Sequence, residues 1–289
     1  IKCEADVILE EALQEKPIDR PSSSKELRNW WRRVRNNESL KKNLRSYSWS
    51  WFWEHPLITT FLLALLPQVF GSLFNIIYNQ TQIIENLSLQ QKNLFPGLVA
   101  SYNSIIYPVA VLGFTFWVWP ILKAVKSEKS GDVHLRTQIY KLPQASILVS
   151  SAGWLPCILW FPIGFSLSSY AMSPLESLHF IAGILVSWII SASYSLLWMS
   201  GFSLRVLLPR FLPDYKDSPQ DLSKGIQKLK VSDLWFYVGG ATPLFSAILL
   251  LLISENLNLG MRYLLSFFII MGMAGFYCAL YARRQQERS

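Results

Sequence analysis

Apolar and polar positions are sorted along this chain in long blocks. Six runs contain no Asp, Glu, Lys or Arg: Pro56 to Tyr78, Ile105 to Leu122, Ala145 to Ala171, Leu178 to Leu204, Leu234 to Ile253, and Tyr263 to Ala282. Each holds 18 to 27 residues, and about 20 apolar residues cross the hydrocarbon of a bilayer as a helix. A buried helix of a soluble protein keeps a charged face beside its apolar one, which these runs lack. The pattern predicts an all-α polytopic membrane protein with six transmembrane helices over residues 56–282 and a basic tail, 283–289.

The segments between the runs set an orientation. The Lys123 to Lys141 connection carries five basic residues, the Arg205 to Lys230 connection six and the tail three, whereas the alternate connections carry only Lys92 and Arg262. Lys and Arg collect on the cytoplasmic side, so both termini are expected there, in the inner (cytoplasmic) membrane. The net charge of +8 is thereby a topological signal, and no nucleic-acid partner is needed to explain it. Upstream of the first run lies a juxtamembrane linker over residues 28–55; its stretch Arg28 to Trp53 carries seven basic residues against one acid, Glu38, and ends in a cluster of Trp49, Trp51, Phe52 and Trp53. Tryptophans favour the headgroup level, so Trp49, Trp51 and Trp53 are membrane-interface candidates.

Composition agrees: 51% of residues are hydrophobic and 16% charged, against about a quarter charged in soluble domains. Cys3, Cys157 and Cys278 have no disulfide or zinc spacing, and the histidines are scattered, so no metal site is expected. There is no G-x-S-x-G, H-E-x-x-H, Walker loop or C-x-x-C. The chain opens at Ile1 without a signal-peptide pattern and reads as a fragment of a longer protein.

Within the runs, polar residues are expensive and therefore informative. Gln68 and Asn75 fall in the first, and His179 lies near the start of the fourth, three residues after Glu176 and poised to pair with it. Gly183, Ser187, Ser191 and Ser195 recur every four residues and make a small, hydroxyl-lined helix-packing stripe. The stripe suits packing within one bundle or self-association of two copies; a pore-lining face is the functional alternative. Gly272 and Gly275 give the sixth run a weaker version. Pro67, Pro108, Pro120, Pro156, Pro162 and Pro243 are expected to kink their helices. Asn79 to Asn103 reads as the one long external loop, with formal glycosylation sequons at Asn79 and Asn86.

The first 27 residues read as a short amphipathic helix, a stop at Pro17 and a fresh helix start at Ser24. Here Ala12-Leu13, Pro17, Asp19-Arg20-Pro21-Ser22 and Glu26-Leu27 resemble the end of the C-lobe of bacterial eukaryotic-like (Hanks-type) Ser/Thr protein kinases. In that family the arginine matching Arg20 pairs with the glutamate of the A-P-E element and braces the activation segment. More weakly, Leu204 to Arg210 with His179-Phe180 and Tyr194-Ser195 is similar to the membrane part that follows the kinase domain in multi-span members. The Gly-rich loop, strand lysine, H-R-D and D-F-G elements of a working kinase do not occur here. The resemblance therefore implies that residues 1–27 end a kinase C-lobe, that the catalytic core with its ATP and magnesium is missing from this chain, and that protein substrates belong to the parent enzyme. This sequence has no complete active site and no cofactor of its own; a membrane-anchoring, signal-transducing region is the leading expectation. The alternative is a small transporter or channel.

Overall fold

The computed structural model describes residues 23–29, 31, 32, 35, 50–126, 133–211, 224, 226–229, 237, 238, 241–245, 248 and 259–287. The kinase-like residues 12–22, Arg20 among them, and Trp49 lie outside the described residues, as does most of the fifth apolar run. The described elements are helical, with no strand among them. They comprise α1 (Pro56–Tyr78), α2 (Leu89–Lys126), α3 (Val133–Trp154), α4 (Cys157–Leu167), α5 (Pro174–Phe202) and α6 (Leu259–Glu287). A short helix, Ser50–Glu54, precedes α1.

Four helical stretches are long and apolar enough to cross a membrane: Pro56–Tyr78, Leu89–Val125, His134–Leu167 (α3 and α4 together) and Pro174–Arg210. In α6 the qualifying apolar stretch is shorter, Leu265–Tyr277. The first expected run matches α1 at both ends.

The remaining boundaries differ, and the cause is chemical. Ser88 and Gln91 cap the start of α2 reciprocally: Ser88 N donates to Gln91 Oε1 at 2.9 Å, and Gln91 N donates to Ser88 Oγ at 3.3 Å. The helix thus begins well before Ile105, and the expected external loop from Asn79 to Asn103 is mostly helix. Only a π turn (Asn79–Ile83) and a 3-10 turn (Ile84–Asn86) separate α1 from it. Asn79 is 5% exposed, so its sequon is no acceptor in the folded chain. Likewise α3 starts at Val133, twelve residues before the charge-free run begins at Ala145, because Arg136 and Lys141 are carried on a helix rather than in a loop.

Prolines act unequally. α2 is assigned as one 38-residue helix through Pro96, Pro108 and Pro120, and α1 continues through Pro67. Pro156, by contrast, separates α3 from α4. The expected kinks at Pro108 and Pro120 therefore do not interrupt α2, whereas the missing N–H of Pro156 coincides with a true break.

Helix α5 is the centre of the bundle. Of its most apolar window 67% is buried by the rest of the chain, against 28%, 22% and 17% for the other three spans. It packs chiefly on α1 and α3, while α2 packs on α3 and α4. Two apolar layers result. One surrounds Phe74, Tyr78, Phe161, Phe180 and Phe268. The other surrounds Leu63, Val118, Ile139, Met199 and Phe202. On α1, α3 and α5 alike, polar residues fall between the two layers.

Candidate functional site

That middle layer is built around Gln68 of α1. Its Nε2 donates to Ser150 Oγ of α3 at 2.6 Å and to Ser195 Oγ of α5 at 3.3 Å. Its Oε1 accepts from Trp154 Nε1 at 3.0 Å. The two serine hydroxyls are 3.4 Å apart. Ser150 and Ser195 are each 1% exposed, so water does not share these bonds. Both amide hydrogens and the amide oxygen of Gln68 are spent on neighbouring helices. An amide in this setting ties three helices at one level, each bond contributing roughly 0.6 kcal/mol in a membrane.

One turn along the same seam, Ser191 Oγ donates to the Pro67 carbonyl at 3.1 Å. Gly71 makes this approach feasible: a Cβ there would overlap Ser191 Oγ and lie 2.8 Å from the Ser187 carbonyl oxygen. Ser187 itself donates back to the Gly183 carbonyl at 2.7 Å. Gly183 seats the ring of Tyr78, whose Cδ1 would be 2.8 Å from an added Cβ. All four stripe residues therefore face α1 inside the chain's own bundle; Ser187 and Ser191 have no exposed surface.

At the end of this seam Tyr78 Oη and His179 Nδ1 share a hydrogen bond of 3.0 Å. His179 is not paired with Glu176, contrary to the sequence expectation. The Glu176 carboxylate accepts from Ser173 N at 2.7 Å and closes a capping box at the start of α5. A helix N-terminus is a strong competitor for a carboxylate in its first turn. Asn75 Oδ1 is buried near Gly183 and has no hydrogen-bond partner among the described residues.

Further side chains fasten the other contacts. Tyr102 donates to the Gly153 carbonyl at 2.6 Å, in the last turn of α3, where carbonyls run out of intrahelical donors. Trp160 Nε1 reaches the Leu98 carbonyl at 3.3 Å, Trp188 Nε1 reaches Ser151 Oγ at 3.0 Å, and Tyr194 donates to the Met271 carbonyl of α6 at 3.0 Å. Gln91 Nε2 bonds the Tyr170 and Ala171 carbonyls, both at 3.2 Å. Of these tyrosines and tryptophans the sequence marks only Tyr194, and that as part of the Tyr194-Ser195 resemblance, since an aromatic in an apolar run carries no mark of whether its polar tip is used.

At the opposite end, Arg136 and Arg205 are 7% and 3% exposed. The sequence reading counts both among the basic residues of the connecting segments. Arg205 sits in a π turn, Ser203–Leu207, that prolongs α5 among buried Leu204, Val206 and Leu207. The apolar residues flanking it were the available signal. Before α1, Trp51 is 46% exposed and stacks on His55, ring centroids 4.9 Å apart. Trp53 lies on the same short helix.

Chemically, the layer is a hydrogen-bonded lock. Among the described residues there is no group of three His, Cys, Asp or Glu side chains able to hold a metal, and no buried hydroxyl of the layer is paired with a base. No family model matches the chain, and neither a curated protein nor a solved structure does.

Proposed function

We propose that this chain is the membrane-embedded C-terminal region of a bacterial Ser/Thr protein kinase, serving as a multi-helix anchor and as a body through which an envelope signal reaches the kinase. In this reading the bundle has six transmembrane helices, the fifth and sixth being Leu234 to Ile253 and Tyr263 to Ala282, with both termini cytoplasmic in the inner membrane. The catalytic core, with ATP and magnesium, precedes residue 1, and Arg20 braces its C-lobe. The kinase part is supported by the Asp19-Arg20-Pro21-Ser22 and Glu26-Leu27 pattern followed by a basic, tryptophan-rich membrane entry.

The observation that carries the anchor part is the saturation of Gln68 by Ser150, Ser195 and Trp154. A solute path needs polar groups free to replace hydration, and here they are bound to one another. Self-association through the Gly183 to Ser195 stripe is not part of the proposal, because α1 already covers that face.

The test is the reading frame upstream of Ile1 together with the activity of its product. An in-frame Gly-rich loop, H-R-D and D-F-G, and phosphorylation of a protein Ser or Thr by the membrane-reconstituted product, support the reading. A stop codon close upstream overturns the kinase part. The second reading, a small transporter, draws on Asn75, whose buried Oδ1 lacks a partner among the described residues. It predicts solute flux from proteoliposomes of this chain that Asn75→Leu abolishes.

A further inference from the structure

Residues 24–29, 31, 32 and 35 are helical. Ser23 caps the start: Glu26 N donates to Ser23 Oγ at 3.2 Å, and the helix begins at Ser24, the expected start. Lys25, Arg28, Arg32 and Arg35 are all exposed. At about 100° per residue they share a stripe roughly 80° wide, and the one acid in this stretch, Glu26, projects about 100° or more away from every member. Trp31, 37% exposed, flanks the stripe at about 40° from Arg35. A cationic stripe edged by a tryptophan complements a surface of anionic headgroups, where the charges meet phosphates and the indole takes the headgroup level.

Position makes that surface available. Only fifteen residues, 36–50, separate Arg35 from Trp51, and they reach at most about 54 Å fully extended. With the bundle in a bilayer, the stripe is confined near the membrane face at high effective concentration. We propose that Lys25, Arg28, Arg32 and Arg35, with Trp31, form a docking surface for anionic phospholipid headgroups, holding this helix along the bilayer. The inference rests on the membrane reading of α1 to α5 and not on the kinase reading.

The experiment is amide hydrogen exchange on the full chain in nanodiscs of phosphatidylcholine alone and of phosphatidylcholine with phosphatidylglycerol. Exchange over residues 24–35 is expected to slow at least about fivefold in the anionic discs. The slowing disappears in high salt, where screening shortens the reach of surface charge, and in the R28Q/R32Q/R35Q variant. Equal exchange in both lipids, with residues 56–78 protected in both, overturns the docking surface and leaves the membrane reading intact. Rapid exchange over 56–78 in both lipids overturns the membrane reading and the proposal with it. Slowing caused by added RNA in neutral discs, without slowing by anionic lipid, overturns it in favour of a nucleic-acid surface.

Discussion

At the residue scale the glycines make the sharpest demand. Gly71 has the Ser187 carbonyl and Ser191 hydroxyl where a Cβ would stand, whereas nothing lies within 4 Å of one on Gly113. Gly71→Ala is expected to push α1 off α5 and to destabilise the chain by about 1–3 kcal/mol. Gly113→Ala, facing open space in a helix, is expected to be neutral or slightly stabilising. Unfolding of the two variants in mixed micelles distinguishes them, and equal midpoints would remove the close crossing from this account. Gln68→Leu should cost about 1–2 kcal/mol by leaving Trp154 Nε1 and two serine hydroxyls without an acceptor or donor in a dry layer. Its readout is the unfolding midpoint, with the Trp154→Phe double mutant measuring the coupling. Of this layer, the sequence showed the serine spacing and the costly Gln68 of the first run. It did not show that they meet, because contact between positions 68, 150 and 195 is a property of how three helices cross. Gly71 was equally hidden: a lone glycine in an apolar run looks the same whether it faces lipid or a neighbouring backbone.

At the element scale the informative segment is the start of α2. Gln91 closes the cap with Ser88 and also bonds the carbonyls of Tyr170 and Ala171, so one amide fixes where α2 begins and ties it to the α4–α5 connection. Gln91→Ala is expected to raise amide exchange in residues 84–92 and 168–173 together, with about 1–2 kcal/mol of local stability lost. Unchanged exchange in the second segment would show that the tie is not formed. This element also explains the misread boundary. A criterion that stops a span at charges and at Gln/Asn-rich sequence finds hydrocarbon, not helix, and at 38 residues α2 reaches about 57 Å, far beyond the roughly 30 Å hydrocarbon. Helix α1 was legible because its ends coincide with those of the apolar sequence, whereas α5 begins at Pro174, four residues before its charge-free run, because its capping box takes in Glu176. Where a helix runs on past its apolar sequence into polar residues, as α2 and α3 do, composition and secondary structure part company.

At the scale of the whole molecule the charge distribution makes a prediction of its own. In the proposed topology, which puts the basic connections on one side, a fluorescent protein fused after Ser289 is expected to mature in the cytoplasm, and a periplasm-dependent phosphatase fused there is expected to stay inactive. The reverse result would turn the bundle over and with it the side proposed for a kinase core. Burial adds a second whole-molecule feature: the most covered helix is α5, the fourth of the candidate spans to be made.

That centrality bears on how the protein is assembled. Gln68 is synthesised 82 residues before Ser150 and 127 before Ser195, so at about 5–20 residues per second α1 stands for several seconds or more with a bare amide. During that interval the early helices lack the α5 contacts around which the bundle closes. Synthesis that halts before Pro174 leaves Gln68 without Ser195 and leaves Gly71 and the Pro67 carbonyl without their α5 neighbours. The late, hydroxyl-rich helix thus acts as the keystone of biogenesis, and quality control that removes incomplete chains has a chemically distinct surface to recognise.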